Sequence, residues 1–301
     1  MIAGVFVQSS GLGTPLAVCF APIVCSITAN SLNGSGRSVQ AHLLPARVEL
    51  VDPEIKQKVN QRNWFYRFDL PDGSVTESYL PASAQQVHTT RLEMVERVLK
   101  PLLAKHHGLS GLDLASHQGW FSLKLAAMGC ASVTGMEPRP GHIDDARLMA
   151  RASSAENIRF VKSDIQNIDA TDIEPADIVL MLGLIYHLEN PVAAIRAARA
   201  YCRRVCLIET QVGPHLSGML DWGSHEFVRP IQGCFTVIDE TEETHGGEAS
   251  TDGICLAPSA ETLLWIMEKV GFVEVALVSP PADAYEQHRH GKRVLAVGWV
   301  P

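Results

Sequence analysis

From Gly108 to the C-terminus, apolar runs of strand length alternate with stretches whose apolar residues recur at helical spacing. The pattern predicts strands over 109–114, 132–137, 158–161, 176–182 and 205–210, with helices over 118–128 and 141–153. Asn190-Pro191 opens a further helix. Asn caps the free N–H groups, and Pro fits the first helical position because its missing N–H is not needed there. Strands alternating with helices imply right-handed crossovers and a parallel sheet. Residues 211–258 break this rhythm: they are rich in Gly, Thr, Glu and His and have no clear period. So long a segment inside a compact domain reads as a lid or binding insertion. The rhythm returns where Ser259 caps a helix carrying Leu263, Ile266, Met267 and Val270 on one face, ended by Gly271. The runs 272–279 and 293–300 read as an antiparallel hairpin at the sheet edge.

Ahead of Gly108 the pattern is sparser. Residues 52–60 suit a short polar helix. The runs 64–70 and 75–80 flank Pro71-Asp72-Gly73, a turn signal that predicts a hairpin. Leu92, Val95, Leu99 and Leu102 follow at helical spacing. The predicted organisation is an extension over 1–44 without stable order, an accessory hairpin and helix over 45–107, and a main α/β domain over 108–301. Within the main domain, 211–258 forms a lid.

Composition narrows the function. The chain of 301 residues is 46% hydrophobic and 19% charged, a globular balance that excludes wholesale disorder. A net charge of −8 argues against a protein that coats nucleic acid. Seven cysteines, an odd number without a C-x-x-C pair, favour neither a disulfide framework nor a structural zinc site. A reducing, cytoplasmic setting is expected. Residues 11–29 are apolar, but Pro15 and Pro22 interrupt them and no positive charge precedes Arg37. The stretch therefore suits neither a spanning helix nor a signal peptide, and no membrane partner is expected.

The chemistry is concentrated where the first strand of the main domain runs into a turn and a helix, Gly111-Leu112-Asp113-Leu114-Ala115-Ser116-His117-Gln118-Gly119. About 20 residues on, the next strand ends in Glu137, the layout by which a doubly wound sheet holds a nucleoside. A phosphate loop and a G-x-G-x-x-G are both absent, which argues against ATP and NAD.

These residues resemble the L-D-x-G-x-G-x-G first motif of class I S-adenosylmethionine-dependent methyltransferases. Gly135-Met136-Glu137 is similar to their second motif, and Lys162-Ser163-Asp164-Ile165 stands where the family places the acid for the adenine amino group. Met181-Leu182-Gly183-Leu184-Ile185-Tyr186-His187, Asn190-Pro191, Leu207-Ile208-Glu209-Thr210, Pro258-Ser259-Ala260 and Gly271-Phe272 resemble the tRNA wobble-uridine carboxymethyltransferase group. So does the aromatic–Leu–Pro-Asp-Gly–Val-Thr pattern of residues 64–76. The resemblance implies a Rossmann-like methyltransferase sheet and S-adenosylmethionine as cofactor. The implied cofactor-binding residues are Asp113, Ala115, Ser116, His117, Gly119, Glu137, Asp164, Ile165 and Leu182.

Two family glycines are replaced, by Ala115 and His117. The first is a small change if its φ stays negative. The second either crowds the methionine end of the cofactor or bonds its carboxylate. The wobble-uridine group reads an extra carboxylate on its cofactor with cations ahead of the first motif. Here Thr89 and Met94 stand near those places, which favours ordinary S-adenosylmethionine and, with the acidic charge, disfavours tRNA. The expected function is methyl transfer to a small-molecule acceptor. The alternatives are a tRNA-modifying enzyme and a cofactor-binding protein without turnover.

Tyr186, His187 and His225 are the candidate catalytic residues, Tyr186 lining the pocket and either histidine serving as base. His187 reads also, and somewhat better, as a histidine satisfied by backbone, and Glu209 as an acid facing the acceptor or a loop hydrogen bond. Asp164 reads also as a turn acid. In the insertion, Trp222, Glu226 and His245 stand near His225 as less favoured candidates. His288-Arg289-His290 and His106-His107 lack a third metal ligand by spacing and are expected in solvated loops. Arg289, Lys292 and Arg293 are expected as a solvated basic turn or a contact for an anionic substrate.

Overall fold

The computed structural model describes residues 51–221, 228–241, 243, 250 and 253–301. The predicted extension over 1–44 lies outside them, as do His225, Trp222, Glu226 and His245.

Helix α1 (Pro53–Asn60) is capped by the Asp52 carboxylate, which accepts the Glu54 and Ile55 N–H groups. Helix α2 (Ala82–Lys105) is longer than the leucine spacing predicts, because polar Gln85 and Gln86 continue the same helix N-terminally. The main domain then runs β1 (Ser110–Leu114), α3 (Trp120–Ala127), β2 (Ser132–Glu137), α4 (Pro140–Ala152), β3 (Ile158–Lys162), β4 (Ala176–Leu182), α5 (Pro191–Ala200) and β5 (Cys202–Gln211). Asn190 caps α5 through the Ala193 N–H, as its sequence requires. After the insertion come α6 (Ala260–Lys269, capped by Ser259), β10 (Val273–Val278), the short α7 (Glu286–Arg289) and β11 (Arg293–Trp299).

Seven strands form one sheet in the order β10-β11-β5-β4-β1-β2-β3, the expected Rossmann-like arrangement. The five from β3 to β5 are parallel, whereas β11 pairs antiparallel with both β5 and β10. Helices cover both faces, so alternate residues of a strand are buried on opposite sides. Ile178 and Leu180 join the core under α2, and Val179 and Met181 join the core under α5 and α6. This is why β4 reads as an unbroken apolar run and not as an alternating one.

The region after α1 departs from a regular hairpin. The turn at Pro71-Asp72-Gly73 forms, but only isolated bridges Trp64↔Ser78 and Asp69↔Val75 pair its arms. Trp64, Tyr66 and Phe68 turn into the core, and side chains supplement the few backbone bonds that remain between the arms. Thr76 Oγ1 accepts the Phe68 N–H, Gln118 Oε1 accepts the Phe65 N–H, and Trp120 Nε1 donates to the Arg67 carbonyl. The described residues of the insertion form two hairpins, β6 (Ser217–Asp221) with β7 (Val228–Gln232) and β8 (Phe235–Asp239) with β9 (Ile254–Pro258).

Candidate active site

The first turn after β1 is tight, and its geometry explains its sequence. Gly119 has φ +80°, and a Cβ there would stand 2.7 Å from the Phe160 ring and 3.0 Å from Ala146. Only glycine fits, because α3 packs directly on β3 through it. Ala115 and His117 also adopt left-handed backbone, with φ +60° and +52°. The condition under which Ala115 would be a small change, a negative φ, is therefore not met. The turn demands the glycine conformation at both positions and carries about 1 kcal/mol or more of strain at each.

Asp113 is buried at the end of β1, and Ser122 Oγ donates to it at 2.7 Å. Burial pushes its carboxyl up to about 7, against the Ser122 hydrogen bond, and the nearby Glu137 charge adds to the rise. Asp113 thus ties β1 to α3 beneath the turn. Ser116 N–H donates to the Met136 carbonyl, joining the turn to β2.

Glu137 ends β2 with 3% exposure. One carboxylate oxygen accepts the His117 N–H at 3.0 Å, and the other accepts the Arg139 N–H at 3.1 Å. Burial alone would raise its pKa. His142, the Arg139 N–H and His117 more than offset that and hold it below the usual glutamate range. An ionised carboxylate, fixed by backbone beside the turn, is the acceptor pair that ribose hydroxyls need. Asp164 and Ile165 follow β3, and Asp164 accepts the Gln166 N–H at 2.8 Å, so the Asx bond of the turn reading is made. Leu182 ends β4, beside Gly183.

Over the ends of β4 and β5 lies a second cluster that the sequence pattern did not assemble. Glu209 is fully buried. Arg91 Nε lies 3.0 Å from it, while Arg293 Nη1 and His288 Nε2 each lie 3.2 Å from it. Burial would raise the Glu209 carboxyl, but the Arg91 and Arg293 charges outweigh it and hold the carboxyl well below the usual range. Arg293 Nη2 donates to the Tyr186 hydroxyl at 3.0 Å, and its guanidinium lies over the Tyr186 ring.

Two expectations are corrected here. His288 is 3% exposed and not a solvated loop residue, because α7 turns it onto Glu209. Arg293, read as part of a basic turn, is buried by its place in β11, where Leu295 stands opposite Glu209. Arg91 was missed altogether. Its signal was a charged residue on the buried stripe of α2, at helical spacing from His88, Met94 and Val95.

His187 follows β4, and its Nδ1 lies 2.7 Å from Glu240 Oε2. Glu240, 2% exposed, comes from the insertion just past β8 and also accepts the Ser250 N–H at 2.8 Å. A carboxylate on Nδ1 holds the proton there and leaves Nε2 as the basic nitrogen. His187 thus has a carboxylate partner on Nδ1. Among the described residues, no group of three His, Cys, Asp or Glu is placed to hold a metal ion, and no helix is long and apolar enough to cross a membrane.

Comparison with known proteins agrees with this geometry. Residues 112–206 match a methyltransferase domain family. A tRNA U34 carboxymethyltransferase of Desulfotalea psychrophila is 24% identical over 179 residues, 59% of this chain. The match covers 49% of that enzyme, so the chain spans about half the length of the curated relative it matches. The N-terminal domain of EvdMO1 with SAH bound superposes with a TM-score of 0.62 at 18% identity, covering 85% of this chain and all of that one. The same domain in the presence of SAH and D-fucose gives 0.59 at 19% identity, covering 82% and 96%.

Proposed function

We propose that this chain, which has the class I methyltransferase fold and carries a methyltransferase domain over residues 112–206, transfers a methyl group from S-adenosylmethionine to a small-molecule acceptor. The observation that carries the reading is the buried, ionised Glu137 fixed on the first turn by the His117 N–H. Its carboxylate faces where a nucleoside would cross the strand ends. The domain similar to this chain was crystallised with SAH.

The residues present fit the cofactor. Glu137 takes the ribose hydroxyls, the turn over Ala115, Ser116 and His117 approaches with backbone, and Asp164 and Ile165 flank the adenine. When bound, S-adenosylmethionine supplies an activated methyl group on its sulfonium. The protein then has to align the acceptor with it, so positioning carries most of the catalysis. Tyr186, clamped by Arg293, and the buried Arg91–Glu209 pair form a stiff floor at the ends of β4 and β5. His187, held by Glu240, is the base that takes a proton from the acceptor at Nε2. Because Glu240 comes from the insertion, the insertion completes the site as well as covering it.

A small acceptor fits the net charge of −8 better than tRNA does. Calorimetric titration with S-adenosylhomocysteine tests the donor reading. Micromolar binding, on the order of −8 kcal/mol, is expected in wild type and is expected to vanish in Glu137→Ala. No binding by folded wild type would sink the proposal. A tight, salt-sensitive complex with tRNA would move the acceptor to RNA.

A further inference from the structure

The buried charges over β4 and β5 do not balance. Glu209 is a single carboxylate shared by the two guanidinium groups of Arg91 and Arg293, which leaves one positive charge uncompensated among them. The two arginines are also unequally engaged. Arg293 donates to Glu209, Gln287 and Tyr186. Arg91 reaches Glu209 only through Nε, and among the described residues its Nη1 and Nη2 have no hydrogen-bond partner. Those two nitrogens lie against Gly183, 3.4 and 3.1 Å from where a Cβ would stand. The Arg91 side chain is only 7% exposed. Nη1 and Nη2 keep some access to solvent, so an anion can reach the charge that Glu209 leaves unbalanced.

A second group one helical turn earlier points the same way. His88 is 3% exposed, and neither ring nitrogen has a hydrogen-bond partner. It is packed against the rings of Tyr66 and Phe65, at 4.5 and 5.0 Å between centroids, and Phe65 in turn contacts His117 of the first turn. His88 and Arg91 therefore stand together over the neighbouring ends of β1 and β4. Burial, and secondarily the Arg91 charge, lowers the His88 pKa to about 2, so it is a neutral ring able to donate one N–H without adding charge.

The direction of the donor follows from the proposed function, on which this inference rests. Adenine lies toward β3 and ribose on Glu137 at β2, so the amino-acid end must run over β1 toward β4. Arg91 stands at that end. We infer that Arg91, with His88 beside it, receives the α-carboxylate of the methyl donor, and that Glu209 holds the guanidinium in place for it. Arg91 is thus a donor-binding residue on the accessory helix, outside the matched methyltransferase domain.

The test is a binding cycle that needs no acceptor. Wild type, Arg91→Met and Arg91→Lys are titrated with S-adenosylhomocysteine and with its decarboxylated analogue. Wild type is expected to prefer the carboxylate-bearing ligand by tenfold or more. Arg91→Met is expected to bind the two ligands equally, with its affinity for the decarboxylated analogue unchanged. That unchanged affinity also reports an intact fold. Arg91→Lys, which keeps a cation for Glu209, is expected to retain the wild-type melting temperature and lose part of the preference. Unchanged preference in Arg91→Met would overturn the inference and leave Arg91 to an anion on the acceptor. Equal weakening of both ligands would overturn it too, as a structural effect. Failure of wild type to bind either ligand would instead remove the donor reading itself.

Discussion

The two halves of this site are built in opposite ways. On the β1–β2 side the candidate groups come from one short stretch of chain and are set mainly by backbone. Glu137 is held by the His117 and Arg139 N–H groups, and the turn by the Met136 carbonyl. On the β4–β5 side the groups are side chains far apart in sequence: Arg91, His288 and Arg293 on the Glu209 carboxylate, Tyr186 on Arg293, and Glu240 on His187. The first half is a local geometry that tolerates Ala115 and His117 in place of glycine. The second is an electrostatic network in which each member depends on the others.

That contrast predicts unequal responses to substitution. The largest effect is expected at the network's centre. Glu209→Ala strips the partner from two buried guanidinium groups and should cost about 3–5 kcal/mol in denaturant unfolding. A cost below about 1 kcal/mol would show that water reaches the cluster and would break the comparison.

Next is Asp113. Its folded pKa of about 7 lies above its ordinary value of 3.8, so the folded state binds its proton more tightly than the unfolded chain does. The stability this group contributes is fully present below about pH 4 and is lost as pH rises through 7. The free-energy difference between wild type and Asp113→Asn should therefore fall by about 4 kcal/mol between pH 4 and 8. Parallel stability curves would mean that Asp113 is already ionised in the fold.

The smallest effect is expected in the strained turn. Ala115→Gly should raise stability by up to about 1 kcal/mol and leave S-adenosylhomocysteine binding intact, because glycine occupies φ +60° freely. Weaker binding in that variant would mean that the Ala115 methyl itself contacts the ligand. Activity sharpens the picture once an acceptor is found. Glu240→Gln should lower kcat and shift the pH–rate profile with little change in donor affinity, since Glu240 acts through His187.

The sequence by itself determined the order of strands and helices, the capped starts at Asn190 and Ser259, the antiparallel C-terminal pair and the glycine at 119. Each of these is a local preference of backbone or period, written in adjacent residues. It also located Glu137, because a second strand ending in an acid about 20 residues past the turn is a one-dimensional signal. It did not determine that residues 64–80 would abandon hairpin pairing for the core, or that His288 and Arg293 would be buried. Nor did it bring Arg91 to Glu209 or Glu240 to His187. Those outcomes were decided by the tertiary structure, since α2, β5, β11 and the insertion meet only when the sheet is assembled. A carboxylate and a guanidinium that meet there choose one another by desolvation and charge, and neither depends on spacing along the chain.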